Sequence, residues 1–383
     1  MNTQNGLPLD AYISPQFFAL EQQHIFSTTW AFAGLVEDLN VEGDYLTVQA
    51  GLNNILVIKG KSEQLLAFHN MCRHKGTRLR DGKGKASNKL VCPYHDWAYD
   101  LEGKLLSLPK ASREFPALDK SCYGLKKANV GIWRGMIWVH PDPNSQSIEQ
   151  WFSSMVPYLG PHKVETLIEP EDSIIIEDIE ANWKVVVENY IDHYHLAHLH
   201  VGTLNMYDHK RAEFGFVGPH FRFWEPLTKE YQQDIKQNSP YPLIYDTKIE
   251  KLGTWVPMLF PGIGLAESES SWSVFQIVPV AVDRSKVIIR TKMKNGSALE
   301  FMKQSIRSAS YWNKKVKAKD SGYDDKHGLG SANFLQEDIY VCEQLQKSFS
   351  SPFFEFGPSA EYGECPVREH KKLVWEWIKP HWR

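Results

Sequence analysis

Two Cys–His pairs are the feature that most constrains what this chain can fold into. Cys72 and His74 are separated by one residue; Cys92 and His95, separated by two, follow after a gap of seventeen. Two thiolates and two imidazoles can hold a tetrahedral zinc ion or an iron–sulfur cluster. Either centre needs a frame that brings two loops together, so we expect the residues around the pairs to form a compact module.

The spacing separates these two possibilities. A zinc finger usually takes two Cys from one element and two His from another. Here each pair contains one residue of each kind, which a Rieske [2Fe–2S] centre requires because both Cys bind one iron and both His bind the other. We therefore predict a [2Fe–2S] cluster held by Cys72, His74, Cys92 and His95, with a zinc site as the alternative.

Composition excludes several broad classes. The 383 residues carry a net charge of −3 with a pI of about 6.6, which argues against a general nucleic-acid or membrane-surface role. The first ten residues lack the basic and apolar regions of a secretion signal, and the five cysteines form no regular framework. We expect a cytoplasmic protein with no nucleic-acid partner and no membrane segment.

Hydrophobic patterns predict two kinds of structure. Short β-type runs fill residues 40–140, and "LEGK" at 101–104 is typical of a hairpin turn. A helix capped by Ser14, with Pro15 at its first position, precedes them. The second part is predicted to be α+β on an antiparallel sheet. Its elements are a strand leading into a helix near Trp183, strands near 213–224, 254–260, 272–280 and 286–293, and helices over 297–317, 334–349 and at the C-terminus.

A second constellation lies in "NWKVVVENYIDHYHLAHLH", residues 182–200. Such a density of imidazoles and carboxylates on one predicted helix indicates a metal. Glu188, Asp192 and His195 fall on one helical face, and His198 stays near it. His200 lies about 140° away on a regular helix. Spacing alone therefore favours His195 with His198 as ligands.

Both constellations resemble Rieske non-haem iron oxygenases. "CRHKGTRL" and "CPYHDWAYDLEGKL" are similar to the two cluster loops of that family, with Asp96 where the family usually has Gly. The later segment is similar to the family's iron motif, Asp-x2-His-x4-His, preceded by Asn-Trp-Lys and Glu-Asn. The resemblance implies that His195 and His200 bind a mononuclear Fe(II), and it requires the helix to bend or unwind between them.

The third iron ligand should lie far along the chain, because such sites use two His and one carboxylate. In "SANFLQEDIYVCEQLQKSF", Asp338 is beside Ile339 and four residues before Cys342, on the apolar side of a predicted helix. A buried carboxylate needs a partner or a metal. The family pattern Glu-Asp-x4-Glu-x2-Gln recurs here and makes Asp338 the ligand, with Glu337 as the alternative.

The resemblance also implies roles beyond the ligands. Asp192 would act in catalysis by linking His95 of a neighbouring subunit to His195, so that electrons cross a subunit boundary. That arrangement requires a closed ring, and the family's usual solution is a homotrimer. The other reading of Asp192 is an acid on a helix surface.

The activity implied is that of a terminal oxygenase. It would use O₂ and electrons from NAD(P)H to hydroxylate or oxidatively demethylate an aromatic acid or a quaternary amine. A separate flavin reductase, with or without a ferredoxin, would supply the electrons, since no Gly-x-Gly-x2-Gly follows a strand here. The partner would dock near the basic residues around the cluster. The alternative interpretation is that these residues form an ordinary solvated loop. They are Arg73, Lys75, Arg78, Arg80, Lys83, Lys85 and Lys89.

The fold implied has three parts. A helical segment, 1–39, packs on the catalytic domain; an all-β Rieske domain occupies 40–143; and an α+β catalytic domain with a helix-grip (Bet v 1/START-like) fold occupies 144–383. The sheet between 205 and 300 should form the substrate pocket. Its large side chains are either pocket walls or core: Met206, Tyr207, Phe214, Phe260, Leu265, Trp272 and Phe275.

Three other functions fit parts of the sequence. A Rieske electron-transfer protein would use only the first constellation, and a zinc-binding interaction module would contain no sulfide. A ring cis-dihydroxylating dioxygenase would use both constellations and differ only in placing two oxygen atoms in the product.

Overall fold

The computed structural model describes residues 6–171, 173–238, 243–244, 252–297, 299–300, 302–303 and 322–382. They form two compact units, Leu20–Ser153 and the combination of Met1–Ala19 with Ser154–Arg383. Most of the helix predicted over 297–317 lies outside the described residues. No helix in the described part of the chain is long and apolar enough to cross a bilayer.

Leu20–Ser153 is built on antiparallel strands, which confirms the all-β prediction for this part. A seven-stranded sheet has the order β1-β10-β9-β4-β3-β2-β5, and a smaller sheet has the order β6-β7-β8. The strands are β1 (Ala31–Leu35), β2 (Asp44–Ala50), β3 (Asn53–Lys59), β4 (Leu65–His69), β5 (Lys83–Lys85), β6 (Lys89–Val91), β7 (Ala98–Asp100), β8 (Leu105–Ser107), β9 (Lys127–Trp133) and β10 (Met136–His140).

The small sheet forms the frame of the second Cys–His pair. The predicted turn at 101–104 closes the β7–β8 hairpin, where the Asp100 N–H donates to the Lys104 carbonyl at 3.0 Å. Gly103 has a φ of 82°, and a Cβ there would meet the Phe68 ring at 2.6 Å, so only Gly fits this position. The loops therefore rest on a fixed, packed scaffold.

Helices are few in the N-terminal part. Ser14 accepts a hydrogen bond from the Phe17 N–H at 3.3 Å, as expected of the predicted cap. The α- and π-helices described up to residue 153 are α1 (Asp10–Ile13), α2 (Pro15–Glu21), a π-helical turn (Gln22–Phe26), α3 (Ala111–Glu114) and α4 (Ile148–Phe152).

The larger unit has an eight-stranded antiparallel sheet of order β11-β18-β17-β16-β14-β13-β12, with β15 beside β13 and β16. The strand β16 was not among the predicted strands. The elements are β11 (Ile175–Ile179), α5 (Trp183–Ile191), α6 (Leu196–Leu199), β12 (Glu213–Val217), β13 (His220–Pro226), α7 (Lys229–Asn238), β14 (Gly253–Trp255), β15 (Met258–Leu259), β16 (Ile263–Glu267), β17 (Trp272–Ala281), β18 (Arg284–Lys292), α8 (Phe334–Phe349) and α9 (Cys365–Ile378).

Helices α5 and α8 lie against each other, and α5 also lies on the sheet. They run antiparallel, because the Gln346 side chain accepts from the Asn182 N–H at 2.9 Å while Cys342 contacts the Val185 carbonyl nearer the middle of α5. This pairing brings the beginning of α8 to the end of α5. Two segments 140 residues apart in sequence thus meet at one place.

The boundaries of the compact units differ from the predicted 1–39, 40–143 and 144–383. Residues 20–39 cluster with the Rieske part because β1 pairs with β10, with Ala31 opposite Val139. Residues 144–153 do so because α4 packs on the same sheet, where the Phe152 and Trp133 rings lie 4.4 Å apart. Of the described residues before β1, only 6–19 cluster with the larger unit.

Candidate metal centres

The two cluster loops are the same turn built twice. The Cys72 carbonyl accepts from the Gly76 N–H at 2.9 Å, and the Cys72 N–H donates to the Thr77 carbonyl at 2.8 Å. The Cys92 carbonyl accepts from the Asp96 N–H at 3.1 Å, and its N–H donates to the Trp97 carbonyl at 2.9 Å. In each loop the backbone folds tightly around a buried cysteine.

The repeat explains why Asp96 occupies a position where the resembled family usually has Gly. The equivalent residue of the first loop, Gly76, has a φ of 81°, and Asp96 has a φ of 53°. Both conformations are left-handed, which Gly adopts freely and Asp tolerates better than most residues. The turn therefore forms with Asp96 in place.

The four side chains of these loops fit a [2Fe–2S] cluster. The His74 and His95 rings lie 4.7 Å apart, and their Nδ1 atoms are buried with no hydrogen-bond partner among the described residues. Cys72 and Cys92 are buried, and the Tyr99 hydroxyl lies 3.3 Å from the Cys72 Sγ. Buried polar atoms without partners are costly, and metal coordination removes that cost.

The protonation tendencies agree with this fit. Burial, the neighbouring His95 and Lys75 lower the pKa of His74, so its ring is neutral, which is the form that binds metal. Burial and the nearby Cys92 raise the pKa of Cys72, although the Tyr99 hydrogen bond opposes them. The raised pKa favours the protonated thiol, whose proton a bound metal ion displaces.

The second constellation is not one continuous helix. Helix α5 ends at Ile191, and Asp192 turns the chain by accepting a hydrogen bond from the Tyr194 N–H at 2.7 Å. The four-residue helix α6 follows, with His195 just before it and His200 just after it. The predicted interruption is present, but it lies before His195 rather than between His195 and His200.

Three side chains then converge from two distant segments. The Asp338 Oδ1 lies 3.0 Å from the His200 Nε2 and 3.6 Å from the His195 Nε2. One ligand atom from each residue falls within 4.8 Å of the others. Although His200 is close, the buried Asp338 Oδ1 makes no hydrogen bond to any described residue. Two His and one carboxylate whose ligand atoms converge on one point fit Fe(II).

At each imidazole of this site, a carboxylate contacts the Nδ1, the ring nitrogen that faces away from Asp338. The Asp192 Oδ2 lies 3.2 Å from the His195 Nδ1, and the Glu337 Oε2 lies 2.7 Å from the His200 Nδ1. Burial lowers the pKa of His200, but the Asp338 and Glu337 carboxylates outweigh it and raise the pKa to about 9. Glu337, the alternative ligand, thus lies behind His200 rather than among the converging atoms.

The other polar residues of the segment lie elsewhere. His198 is exposed, and the His193 Nε2 lies 2.9 Å from the His209 carbonyl. Glu188 accepts from the Tyr12 hydroxyl at 2.6 Å and lies 3.6 Å from the Lys371 Nζ. The regular helical wheel grouped Glu188 and His198 with His195 because it assumed that α5 continues beyond Ile191.

Sequence reasoning missed one residue that contributes to the site. Thr203 donates to the Glu337 Oε2 at 2.9 Å, in the turn that follows His200. A Thr three residues after a ligand carries no signal by itself. Among the predicted pocket residues, Phe260, Leu265 and Trp272 are fully buried in the core, while Met206, Tyr207, Phe214 and Phe275 are half-buried.

Comparison with known families matches both halves of the chain. Residues 29–126 match the Rieske [2Fe–2S] domain, and residues 133–380 match the ring hydroxylating alpha subunit (catalytic domain). This chain belongs to the ring-hydroxylating α-subunit family. The two Rieske-oxygenase domains together imply a [2Fe–2S] cluster and a mononuclear iron, and the residues above fit both.

Several curated relatives of this oxygenase-family chain are known. A glycine betaine monooxygenase oxygenase subunit from Chromohalobacter salexigens is 38% identical over 52% of this chain and 44% of that protein. A chloroplastic choline monooxygenase from Atriplex hortensis is 26% identical over 91% of this chain and 73% of that protein. The chain thus spans less than half the length of the first relatives it matches, and about three quarters of the choline enzyme.

Solved structures share the fold. A quaternary ammonium Rieske monooxygenase superposes with a TM-score of 0.75 at 20% identity, covering 97% of this chain and 94% of that one. Naphthalene 1,2-dioxygenase from Rhodococcus sp. superposes with a TM-score of 0.71 at 16% identity, covering 98% and 95%. These likenesses confirm the predicted architecture of a Rieske domain with an α+β catalytic domain.

Proposed function

We propose that this protein is the terminal oxygenase of a multicomponent system that hydroxylates or oxidatively demethylates a quaternary amine. The observation that carries the proposal is the convergence of His195, His200 and Asp338 in a chain that also holds four cluster ligands. An electron-transfer protein would not need the three converging side chains. When bound, the cluster would relay single electrons and the iron would activate O₂.

The protein's own residues supply position and protonation. Asp192 accepts the Nδ1 proton of His195, which leaves its Nε2 facing Asp338. The Tyr99 hydroxyl and the buried frame around Cys72 keep water from that sulfur. The chain therefore fixes the orientation of its ligands before any metal binds.

A quaternary amine is favoured over an aromatic acid by the names of the relatives. Curated matches include glycine betaine, choline and carnitine monooxygenases from bacteria and plants. The likeness to naphthalene dioxygenase is at 16% identity and speaks for the fold alone. A trimethylammonium group as substrate would yield a hydroxymethyl product that releases formaldehyde.

Electron delivery would cross a subunit boundary in a homotrimer, from His95 of one chain to Asp192 of the next. Asp192 retains 18% of its side-chain exposure, which leaves it reachable by another chain. A solved quaternary ammonium Rieske monooxygenase has been described in terms of inter-subunit electron transfer.

A flavin reductase would dock, in the cytoplasm, on the basic loop, which is the segment from Arg73 to Lys89 with its seven Lys and Arg residues. Two of its seven basic residues are structural, since Arg73 donates to the Gly124 carbonyl and Arg80 to the Val91 carbonyl. The docking charges would therefore be the exposed ones, which are Lys75, Arg78, Lys83, Lys85 and Lys89.

The test is substrate-stimulated NADH oxidation with a generic reductase, across betaines and aromatic acids. We expect stimulation by a betaine and formaldehyde in an amount equal to the demethylated amine, with one atom of ¹⁸O from ¹⁸O₂ carried by the formaldehyde. Two labelled atoms would instead establish a dihydroxylating dioxygenase. Material that retains two irons per chain after anaerobic iron loading would overturn the oxygenase proposal in favour of an electron carrier.

A further inference from the structure

We propose that Glu337, held by Thr203, is a positioning residue that fixes the orientation of His200 and so sets how tightly the site retains its metal. The inference rests on the proposed function only in taking His195, His200 and Asp338 as the metal ligands. In this proposal Glu337, the residue directly before Asp338, binds the Nδ1 of His200 and does not bind the metal.

The contact is short and sealed from water. The Glu337 Oε2 lies 2.7 Å from the His200 Nδ1, and the two side chains are 8% and 1% exposed. The same oxygen accepts from the Thr203 hydroxyl at 2.9 Å. Charge-assisted hydrogen bonds in a buried setting are stronger than neutral ones in water.

The position of Glu337 on its helix supports a charged carboxylate there. It lies in the first turn of α8, and its N–H donates to the carbonyl of the cap residue Asn333 at 3.0 Å. Negative charge is favoured at a helix N-terminus because the backbone N–H groups point toward it. The helix therefore holds the acceptor in place before any metal is present.

The chemical consequence concerns the two nitrogens of one ring. A neutral imidazole carries its proton on one nitrogen and a lone pair on the other, and the hydrogen bond decides which. In the neutral ring, with Glu337 accepting from Nδ1, the lone pair of His200 is on Nε2, which lies 3.0 Å from the Asp338 Oδ1. Without Glu337, the ring can rotate or carry the proton on Nε2, and part of the population cannot bind.

Glu337 differs from Asp192, which holds the other imidazole. The Asp192 side chain is 18% exposed and divides its oxygens between the Tyr194 N–H and His195. The Glu337 side chain is 8% exposed, and its hydrogen bonds to the His200 Nδ1 and the Thr203 hydroxyl are both within its own chain. Its substitution should therefore change metal retention without changing electron entry into the cluster.

The experiment uses the full chain loaded with its cluster and stripped of mononuclear metal by a chelator. Cobalt(II) is then titrated and followed by its d–d absorption, which requires no turnover. We expect E337Q to bind Co²⁺ 10–100-fold more weakly, the range found when a ligand's hydrogen-bond partner is removed. T203V should bind Co²⁺ severalfold more weakly, because Glu337 still accepts from His200 but loses the hydrogen bond from Thr203.

The matched control is E343Q, which makes the same change on the same helix. Glu343 accepts from the Glu180 N–H at 3.2 Å, and it is not among the converging residues. The proposal predicts wild-type Co²⁺ affinity for E343Q, with the cluster absorption and its reduction rate by dithionite unchanged in all three variants. Equal affinity of E337Q and wild type, or equal loss in E337Q and E343Q, would overturn it.

The Co²⁺ titration would still test the positioning role if the protein failed to turn over betaines. Cobalt binding to the three ligands tests the positioning role, and product formation tests the oxygenase role. If E337Q unfolds, as judged by loss of the cluster absorption, the T203V measurement decides. Unaltered affinity in T203V would then contradict the role of the pair.

Discussion

The two metal centres of this chain are built in opposite ways. The proposed cluster ligands lie between Cys72 and His95, on two copies of one turn, and the buried Nδ1 atoms of the two histidines have no hydrogen-bond partner among the described residues. The proposed iron ligands extend from His195 to Asp338, and there each Nδ1 faces a carboxylate while both Nε2 atoms lie near the Asp338 Oδ1. One centre is local in sequence, and the other exists only because two helices pair.

The difference follows from charge. A cluster site with two thiolates supplies its own negative charge and needs no acids around its imidazoles. An iron site with one carboxylate and two neutral rings gains from further carboxylates that orient those rings. The choice of nitrogen thus reports which neighbours each imidazole has. Five substitutions in four experiments test this contrast, and they are ordered from the largest expected effect to the smallest.

Asp338→Ala should remove the mononuclear iron and leave the cluster in place. We expect iron to fall from three to two atoms per chain, with the cluster spectrum unchanged and turnover lowered at least about a hundredfold, more than for loss of an orienting residue. Iron analysis and visible absorption give the answer. Loss of the cluster in the same variant would show that the two centres are not independent.

Asp192→Asn should leave both metals in place but slow the transfer between them. The amide keeps one oxygen near His195 but loses the charge, so reoxidation of the reduced cluster in a single turnover should slow about 10–100-fold. Stopped-flow absorption measures it. The control Asp178→Asn, an exposed acid paired with Lys286 at 3.4 Å, should behave as wild type.

Glu188→Gln should affect stability and not iron. Burial alone would raise the pKa of Glu188, but Lys371, His370 and the Tyr12 hydroxyl outweigh it and lower the pKa. Its charged form therefore stabilises the fold above about pH 4.3, the ordinary value. This stabilisation is lost as the pH falls toward the lower pKa of the folded state.

Urea unfolding should show the Glu188→Gln variant about 2 kcal/mol less stable at pH 7, with the difference narrowing below about pH 4.3. Loss of the mononuclear iron from the Glu188→Gln variant at neutral pH would contradict this expectation. It would instead support the helical-wheel prediction that Glu188 lies with His195 at the metal site.

Asp96→Gly and Gly76→Asp should have the smallest effects, with opposite signs. Both positions are left-handed, and a Cβ at Gly76 would meet no atom within 4 Å, so only backbone strain is at stake. We expect a gain of at most about 1 kcal/mol for the first change and a loss of about 1 kcal/mol for the second. Thermal bleaching of the cluster absorption measures both, and equal signs would show that the two loops are not equivalent.

The accuracy of sequence reasoning followed the distance over which each feature is built. The 101–104 turn, the Ser14 cap, and the strands and helices that flank Trp183 depend on neighbouring residues, and they are present as predicted. The helical wheel failed at Ile191, because the side chain of Asp192 competes for the backbone and ends the helix. The predicted boundary near residue 40 differs because β1 pairs with a strand a hundred residues later.

By itself the sequence determined which atoms could bind metal, since the types and spacing of Cys, His and Asp are chemical facts that need no fold. It also determined the first centre's frame, because two short loops and a hairpin are specified by local turn residues. Only the tertiary structure decided which nitrogen each histidine presents and that Glu337 lies behind His200. Those choices depend on which side chain faces the other edge of a ring, and for His200 the packing of α5 against α8 brings that side chain, Glu337, into contact.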